Sequence, residues 1–215
     1  MKFDALLFDM DGLMFDTERL ADELFAAAAP QFGITIGPGE MALLRGVSHA
    51  AGRAAFQARF GADFPYDRLT DRVHEGLLRR VAQERPLKPG LLELLAFCRA
   101  RQLPCAVASS SSRSIVEYYL RETGVADCFE AVVCGDQVAR SKPAPDIYLA
   151  AAAALGAQPA RCMVLEDSYN GMRAGAAAGC AAVMVPDIDP PTDEIRALAW
   201  RIVPTLADVI PLLEG

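Results

Sequence analysis

Two aspartates one residue apart, Asp9-Met10-Asp11, close a run of four consecutive apolar residues, Ala5 to Phe8. Residues i and i+2 of an extended segment point the same way, so both carboxylates project together from the end of a first strand. Two carboxylates in one place repel unless a cation or a shared proton relieves them. A pair of turn aspartates capping the next element is the plainer reading. Four apolar residues leading straight into Asp-x-Asp-Gly weigh against it.

Three further groups stand in similar places. Glu166-Asp167 closes the apolar run Met163 to Leu165 and precedes Ser168-Tyr169-Asn170-Gly171, the start of a helix. Alone, such a pair reads as a helix N-cap with a favourable dipole. Beside Asp9 and Asp11 it reads as an oxygen-rich site for a hard divalent cation, since Mg²⁺ takes one or two carboxylates with waters and phosphate oxygens. Ser109-Ser110-Ser111-Ser112 follows the apolar run Cys105 to Ala108. It is either a polar loop with an N-cap or a cradle of hydroxyl and backbone N–H groups for an anion. Lys142 sits in Ser141-Lys142-Pro143-Ala144-Pro145. It is either a solvated loop lysine or an ammonium held by rigid prolines so that it reaches a crevice.

These groups need elements that bring them together. Short apolar runs predict buried strands at Leu6 to Phe8, Cys105 to Ala108, Ala131 to Cys134, Met163 to Leu165 and Ala181 to Val185, and a weaker one at Ile202-Val203. Helical spacing lies between them, as in Leu91, Leu92, Leu94, Leu95 and Cys98, or Ile115, Val116, Tyr119 and Leu120. A third helix has Pro145 in its first turn and Gly156 at C′. Alternation of this kind predicts a doubly wound parallel sheet. In such a sheet the carboxyl ends of the strands form the ligand crevice. From Asp16 to Arg85 only helical pattern appears, with candidate helices at Glu18 to Gln31, Glu40 to Leu44, Ala50 to Phe60 and Leu69 to Glu84. That stretch predicts a small helical domain, residues 16–86, inserted into a core made of residues 1–15 and 87–215. Gly171, Gly175 and Gly179 form a bare stripe on one helix face, read as close helix–sheet packing.

Composition narrows the classes. The chain has 215 residues, 53% hydrophobic and 23% charged, with a mean hydropathy of +0.20. It should build a real core without staples. A formal charge of −7 and a pI near 4.9 argue against nucleic-acid and anionic-membrane binding. No secretory signal and no membrane-spanning run are read, and six scattered cysteines without a Cys-x-x-Cys pair read as reduced thiols of a cytoplasmic protein. Two distant histidines, His49 and His74, do not make a zinc site.

Taken in order, Asp9-x-Asp11-Gly12, Ser109, Lys142-Pro143 and Glu166-Asp167 resemble the four motifs of the haloacid dehalogenase-like hydrolases, over Phe3 to about Val185. The helical insert, with Phe8-Asp9-Met10-Asp11-Gly12-Leu13-Met14-Phe15-Asp16-Thr17-Glu18, is similar to the subgroup of phosphoglycolate phosphatase, small sugar phosphatases and β-phosphoglucomutase. The resemblance implies a phosphatase acting on a small phosphorylated metabolite, with Asp9 as nucleophile forming an aspartyl-phosphate and Asp11 as general acid and base. It implies Mg²⁺ on Asp9, the Asp11 backbone carbonyl and Asp167, with Glu166 ligating directly or through water. Ser109 and the Ser110 N–H would bind phosphate, Lys142 would neutralise phosphate and nucleophile, and the Lys142–Pro143 bond would be cis. Arg45-Gly46-Val47-Ser48-His49 matches the substrate-contacting loop of the insert, which makes Arg45 and His49 substrate-binding candidates and Arg53 a weaker one. A closing motion would hinge near Phe15-Asp16 and Arg85 to Pro89. No obligate protein partner is evident.

Neighbouring activities fit less well. Dehalogenases of the family lack the second aspartate, and phosphonate-cleaving members need a lysine in the insert, which here has none. β-Phosphoglucomutase carries histidine at the position of Ala21 and arginine at that of His49. A phosphate-binding or phosphoacceptor module such as a receiver domain, about 120 residues long, places its acceptor after a middle strand and has no insert.

Overall fold

The computed structural model describes residues 2–41, 43–44 and 49–214. Six strands form one sheet: β1 (Ala5–Phe8), β2 (Cys105–Ser109), β3 (Ala131–Cys134), β4 (Cys162–Glu166), β5 (Ala181–Met184) and β6 (Arg201–Ile202). Their order is β3-β2-β1-β4-β5-β6 and every pairing is parallel. β1, β2 and β4 are buried at every residue. This is why they read as continuous apolar runs rather than alternating ones: helices cover both faces of a parallel sheet. Chain order reverses at β1, whose neighbours are β2 on one side and β4 on the other, and such a switch point opens a crevice at the carboxyl ends of the strands.

The ten α-helices of the described residues are α1 (Thr17–Ala28), α2 (Pro38–Met41), α3 (His49–Phe60), α4 (Tyr66–Glu84), α5 (Leu91–Arg101), α6 (Arg113–Thr123), α7 (Asp146–Ala154), α8 (Tyr169–Ala177), α9 (Asp193–Leu198) and α10 (Ile210–Glu214). Several ends differ from the sequence reading. α1 stops at Ala28 because Pro30 cannot continue it; a 3₁₀ turn, Ala29–Phe32, follows and ends on left-handed Gly33. Pro145 is the N-cap of α7 rather than a first-turn residue, while Gly156 is left-handed just past the helix, at C′. β6 sits one residue earlier than Ile202-Val203, with Val183 opposite Arg201. None of the helices of the described residues is long and apolar enough to cross a membrane.

The chain divides into two compact units, Met1–Asp16 with Arg85–Gly215, and Thr17–Glu84. In the first unit α7 and α8 lay Ile147, Tyr148, Ala151, Ala152 and Ala174 on Leu7, Ala106 and Val164 of the sheet. Four of the six cysteines, Cys98, Cys105, Cys134 and Cys162, are buried in α5, β2, β3 and β4. The glycine stripe on α8 has three separate causes. A Cβ on Gly175 would lie 2.9 Å from Val164 Cγ1, so close packing on β4 requires glycine there. Gly179 takes φ +79 past the helix end, where no neighbour crowds it. Gly171 answers to the site described below. The second unit has its own core, in which Phe56 meets Phe60, Phe64 and Tyr66 at ring-centroid distances of 5.3–6.0 Å.

The two connections between the units run side by side within the first. Asp16 N donates to Pro86 O at 2.8 Å, Lys88 N to Met14 O at 2.9 Å, and Phe15 pairs with Leu87 in an antiparallel bridge. Lys88 then ties them to the loop after β5: its Nζ is 2.6 Å from Asp187 Oδ1 and 3.6 Å from Asp16 Oδ1. Asp187's side chain is only 3% exposed, so removing Lys88 takes the neighbouring cation from a buried carboxylate. Lys88→Met is expected to lower unfolding free energy by about 3 kcal/mol in urea denaturation, and adding Asp187→Leu to recover most of that loss.

Candidate active site

Asp9 leaves β1 directly beside β4: its N–H donates to Leu165 O at 3.0 Å, and Phe8 is in register with Leu165. The next strand residue on β4 is Glu166, so the two acidic strand ends meet across the switch point. One carboxylate oxygen each from Asp9, Glu166 and Asp167 lies within 4.8 Å of the others. The chain after Asp9 turns tightly, with Met14 N and Phe15 N both donating to Met10 O and Gly12 at φ +79. That turn separates the second aspartate from the first. Asp11 is not a member of the three-carboxylate cluster; its Oδ2 accepts a hydrogen bond from Ser111 Oγ at 3.0 Å.

The serine run resolves into different roles. Ser109 is the last residue of β2 and is buried, and its Oγ accepts the Ser111 N–H at 3.1 Å. Ser110 is exposed, its backbone carbonyl lying against Gly135 so closely that no Cβ fits there. Ser112 is the N-cap of α6.

Lys142 reaches the same point from the loop before α7. Its bond to Pro143 is cis, and Arg140 braces the loop with a two-pronged contact to Asp146 at 3.2 and 2.8 Å. The Lys142 ammonium donates to Asp9 Oδ1 and, at 2.7 Å, to Glu166 Oε1. Its side chain is 6% exposed, so it is a site residue and not a solvated loop lysine. Burial by itself would lower the Lys142 pKa, but Asp9 and Glu166 carry it above the ordinary lysine value. Burial pushes the Asp9 carboxyl up to about 8 against the pull of Lys142, with Glu166 and Asp11 pushing the same way as burial. A site this rich in carboxylates therefore favours an additional cation.

Glu166 is fully buried and accepts five hydrogen bonds. Oε1 takes Lys142 Nζ and Tyr148 Oη, the latter at 2.6 Å. Oε2 takes Asp167 N at 3.2 Å, Ser168 N at 3.1 Å and Ser168 Oγ at 3.0 Å. The N-cap of α8 is Ser168, whose Oγ accepts from Gly171 N at 3.1 Å, so the cap reading of Glu166-Asp167 moves one residue on. Gly171 is the floor beneath Glu166: a Cβ there would fall inside the carboxylate.

Tyr148, Ser111 and Gly171 were not singled out by the sequence reading as parts of the site. Tyr148 had a signal, since a tyrosine on the otherwise apolar helix Ile147 to Ala154 needs a partner for its hydroxyl when buried. The candidates of the insert do not join these groups within one unit. His49 belongs to the second unit, with Nε2 3.3 Å from Thr70 Oγ1 and 3.6 Å from Asp67 Oδ1, beside Arg53, which donates to Asp67 at 2.6 Å. Arg45 lies outside the described residues.

The family model of the haloacid dehalogenase-like hydrolases matches residues 3–179. Hexitol phosphatase B of Escherichia coli K12 is 33% identical over 197 residues, 91% of this chain and 89% of that one. Protein CbbY of Rhodobacter capsulatus is 31% identical over 213 residues, 94% and 93% of the two chains. Among solved structures, CbbY from Rhodobacter sphaeroides in complex with phosphate is 29% identical, with a TM-score of 0.82 and 96% of each chain covered. An Asp→Asn variant of that protein, in complex with xylulose-(1,5)bisphosphate, is 28% identical with the same TM-score and coverage. The chain belongs to the haloacid dehalogenase-like hydrolases. Within them it is a phosphatase, of the subgroup that holds these relatives.

Gly171→Ala is expected to displace Glu166. Thermal denaturation should show a loss of about 1–3 kcal/mol, and turnover should fall on the order of a hundredfold through misplaced groups.

Proposed function

We propose that the chain hydrolyses a small phosphomonoester, a sugar phosphate or a similar metabolite, through an aspartyl-phosphate on Asp9. The observation that carries this reading is the meeting of Asp9, Lys142, Glu166 and Asp167 at the sheet's switch point, with Asp11 close by on Ser111. Relatives named for hexitol phosphate hydrolysis and one bound to a ketose bisphosphate support the sugar phosphate class.

The donor set suits Mg²⁺, being carboxylate oxygens gathered within a few ångströms. Asp9, Asp167 and the Asp11 backbone carbonyl would hold the ion, and Glu166, whose oxygens already accept five hydrogen bonds, would act through water. When bound, the ion screens the carboxylates from the phosphate and stabilises charge on the transferring group. In the first half-reaction an Asp9 oxygen attacks phosphorus as the bond to the leaving alkoxide breaks, and Asp11 gives that oxygen its proton. In the second, Asp11, now a carboxylate, takes a proton from water. The water oxygen attacks phosphorus, the Asp9 acyl-phosphate bond breaks, and phosphate leaves. Ser109 and the Ser110 N–H bind phosphate oxygens, and Lys142 balances charge between the phosphate and Asp9. Arg45 and His49 are the candidates for reading the rest of the substrate. The buried thiols accord with a cytoplasmic enzyme.

Phosphate release is to be measured across sugar, glycolate and nucleoside monophosphates, with Mg²⁺ and with chelator. Selective, chelator-sensitive release that disappears in Asp9→Asn is expected; a variant with near-normal turnover would sink the nucleophile assignment. Release from no compound would redirect the assay to isomerisation of β-glucose 1-phosphate, the mutase reaction. Ser111→Ala takes one hydrogen bond from the Asp11 carboxyl, and a fall in kcat of about tenfold to a hundredfold is expected, the worth of one hydrogen bond to a charged group.

A further inference from the structure

We propose that Tyr148 is a positioning residue for this reaction: through Glu166, its hydroxyl sets where the Lys142 ammonium rests between Glu166 and Asp9. The inference rests on the phosphatase reading above and adds a group outside the four motifs. Tyr148 is fully buried on α7 among Ile147, Ala151 and Ala152, a setting in which phenylalanine would fill nearly the same volume. The hydroxyl therefore has to be explained by what it touches, which is Glu166 Oε1 at 2.6 Å. That same oxygen receives Lys142 at 2.7 Å, and Lys142 also donates to Asp9 Oδ1. The ammonium is thus shared by two carboxylates, and its position follows the balance of charge between them.

A phenol donating to Oε1 draws charge from that oxygen and weakens its pull on the ammonium. The Tyr148 ring closes the other side, with Lys142 Nζ 5.0 Å from its centroid. Ser168 and the backbone of Asp167 and Ser168 hold Oε2, and Gly171 leaves the carboxylate its space, so Glu166 itself cannot turn to compensate. Without the hydroxyl, Lys142 is drawn toward Glu166 and away from Asp9, where the transferring phosphate must be met.

Tyr148→Phe removes the hydroxyl and keeps the ring. The expected result is a fall in kcat of about tenfold with KM within about twofold of wild type, because the loss falls on the transition state. The chain has three lysines, Lys2, Lys88 and Lys142, so ¹⁵N-lysine labelling gives a side-chain spectrum that reads the ammonium directly, without substrate or metal. Assigned by its loss in Lys142→Met, the Lys142 Nζ signal is expected to shift in Tyr148→Phe while those of Lys2 and Lys88 stay. Unchanged kcat, a loss carried by KM alone, or an unmoved Lys142 signal overturns the inference. Should Tyr148→Phe fail to fold, the wild-type chain made with 3-fluorotyrosine, a stronger hydrogen-bond donor of nearly the same size, gives the same readout. The Lys142 signal must then move, and its failure to do so equally overturns the proposal. A wild type that releases phosphate from no compound defeats the phosphatase reading instead, and the Lys142 signal still decides whether the hydroxyl positions the ammonium.

Discussion

A buried ammonium shared by two buried carboxylates is the interaction around which this protein is arranged. Lys142 comes from a loop far along the chain from Asp9, and Glu166 from a third segment, so the three meet only if the sheet places β1 beside β4. Burying such groups is costly unless each is paired and hydrogen-bonded. The surroundings supply those bonds: two N–H groups and a hydroxyl on one oxygen of Glu166, a phenol and an ammonium on the other. Asp9 shares the Lys142 ammonium with Glu166, and in the reading proposed above it is the carboxylate that meets the cation and the phosphate.

Much of the local architecture follows from that requirement. Ser168 serves at once as helix cap and as a donor to Glu166, so one hydroxyl orders both the start of α8 and the carboxylate beneath it. Gly171 is glycine because the carboxylate occupies the volume a side chain would take. Arg140, gripping Asp146, fixes the loop that delivers Lys142. The Asp11 carboxyl is set outside the three-carboxylate cluster by the turn at Gly12 and by Ser111, an arrangement that fits the proton-transfer role proposed for that side chain.

The sequence was most legible where an element is buried on both faces. β1, β2 and β4 showed as uninterrupted apolar runs, and the polar residues at their ends, Asp9, Ser109 and Glu166, stood out because nothing polar precedes them. The parallel alternation put them at the carboxyl ends of strands; which ends are neighbours came from the sheet order. Partnerships between distant segments were not legible in the same way. The pairing of Ser111 with Asp11 spans a hundred residues, and that of Tyr148 with Glu166 depends on how α7 packs on the sheet; in neither case does a local pattern name the partner. The stripe of glycines on α8 read as a single packing device, yet Gly171, Gly175 and Gly179 answer to a carboxylate, a valine and a helix terminus. Element ends moved where a single residue overruled periodicity, as Pro30 did to α1.

The parallel run of the two connections has a consequence for how such chains can diversify. The two points at which the chain leaves and re-enters the sheet unit, Asp16 and Arg85, belong to segments held side by side by the Asp16 N to Pro86 O bond and the Phe15–Leu87 bridge. To the sheet, the insertion is topologically equivalent to a short surface loop, and loop-closure entropy grows only slowly with the length placed between adjacent ends. The polypeptide between those two points is thus exchangeable as a cassette: its length, helix number and surface can be rewritten while the register of β1 against β2 and β4 is untouched. Recombination at this one seam can therefore replace the whole helical unit without renegotiating the interior of the sheet.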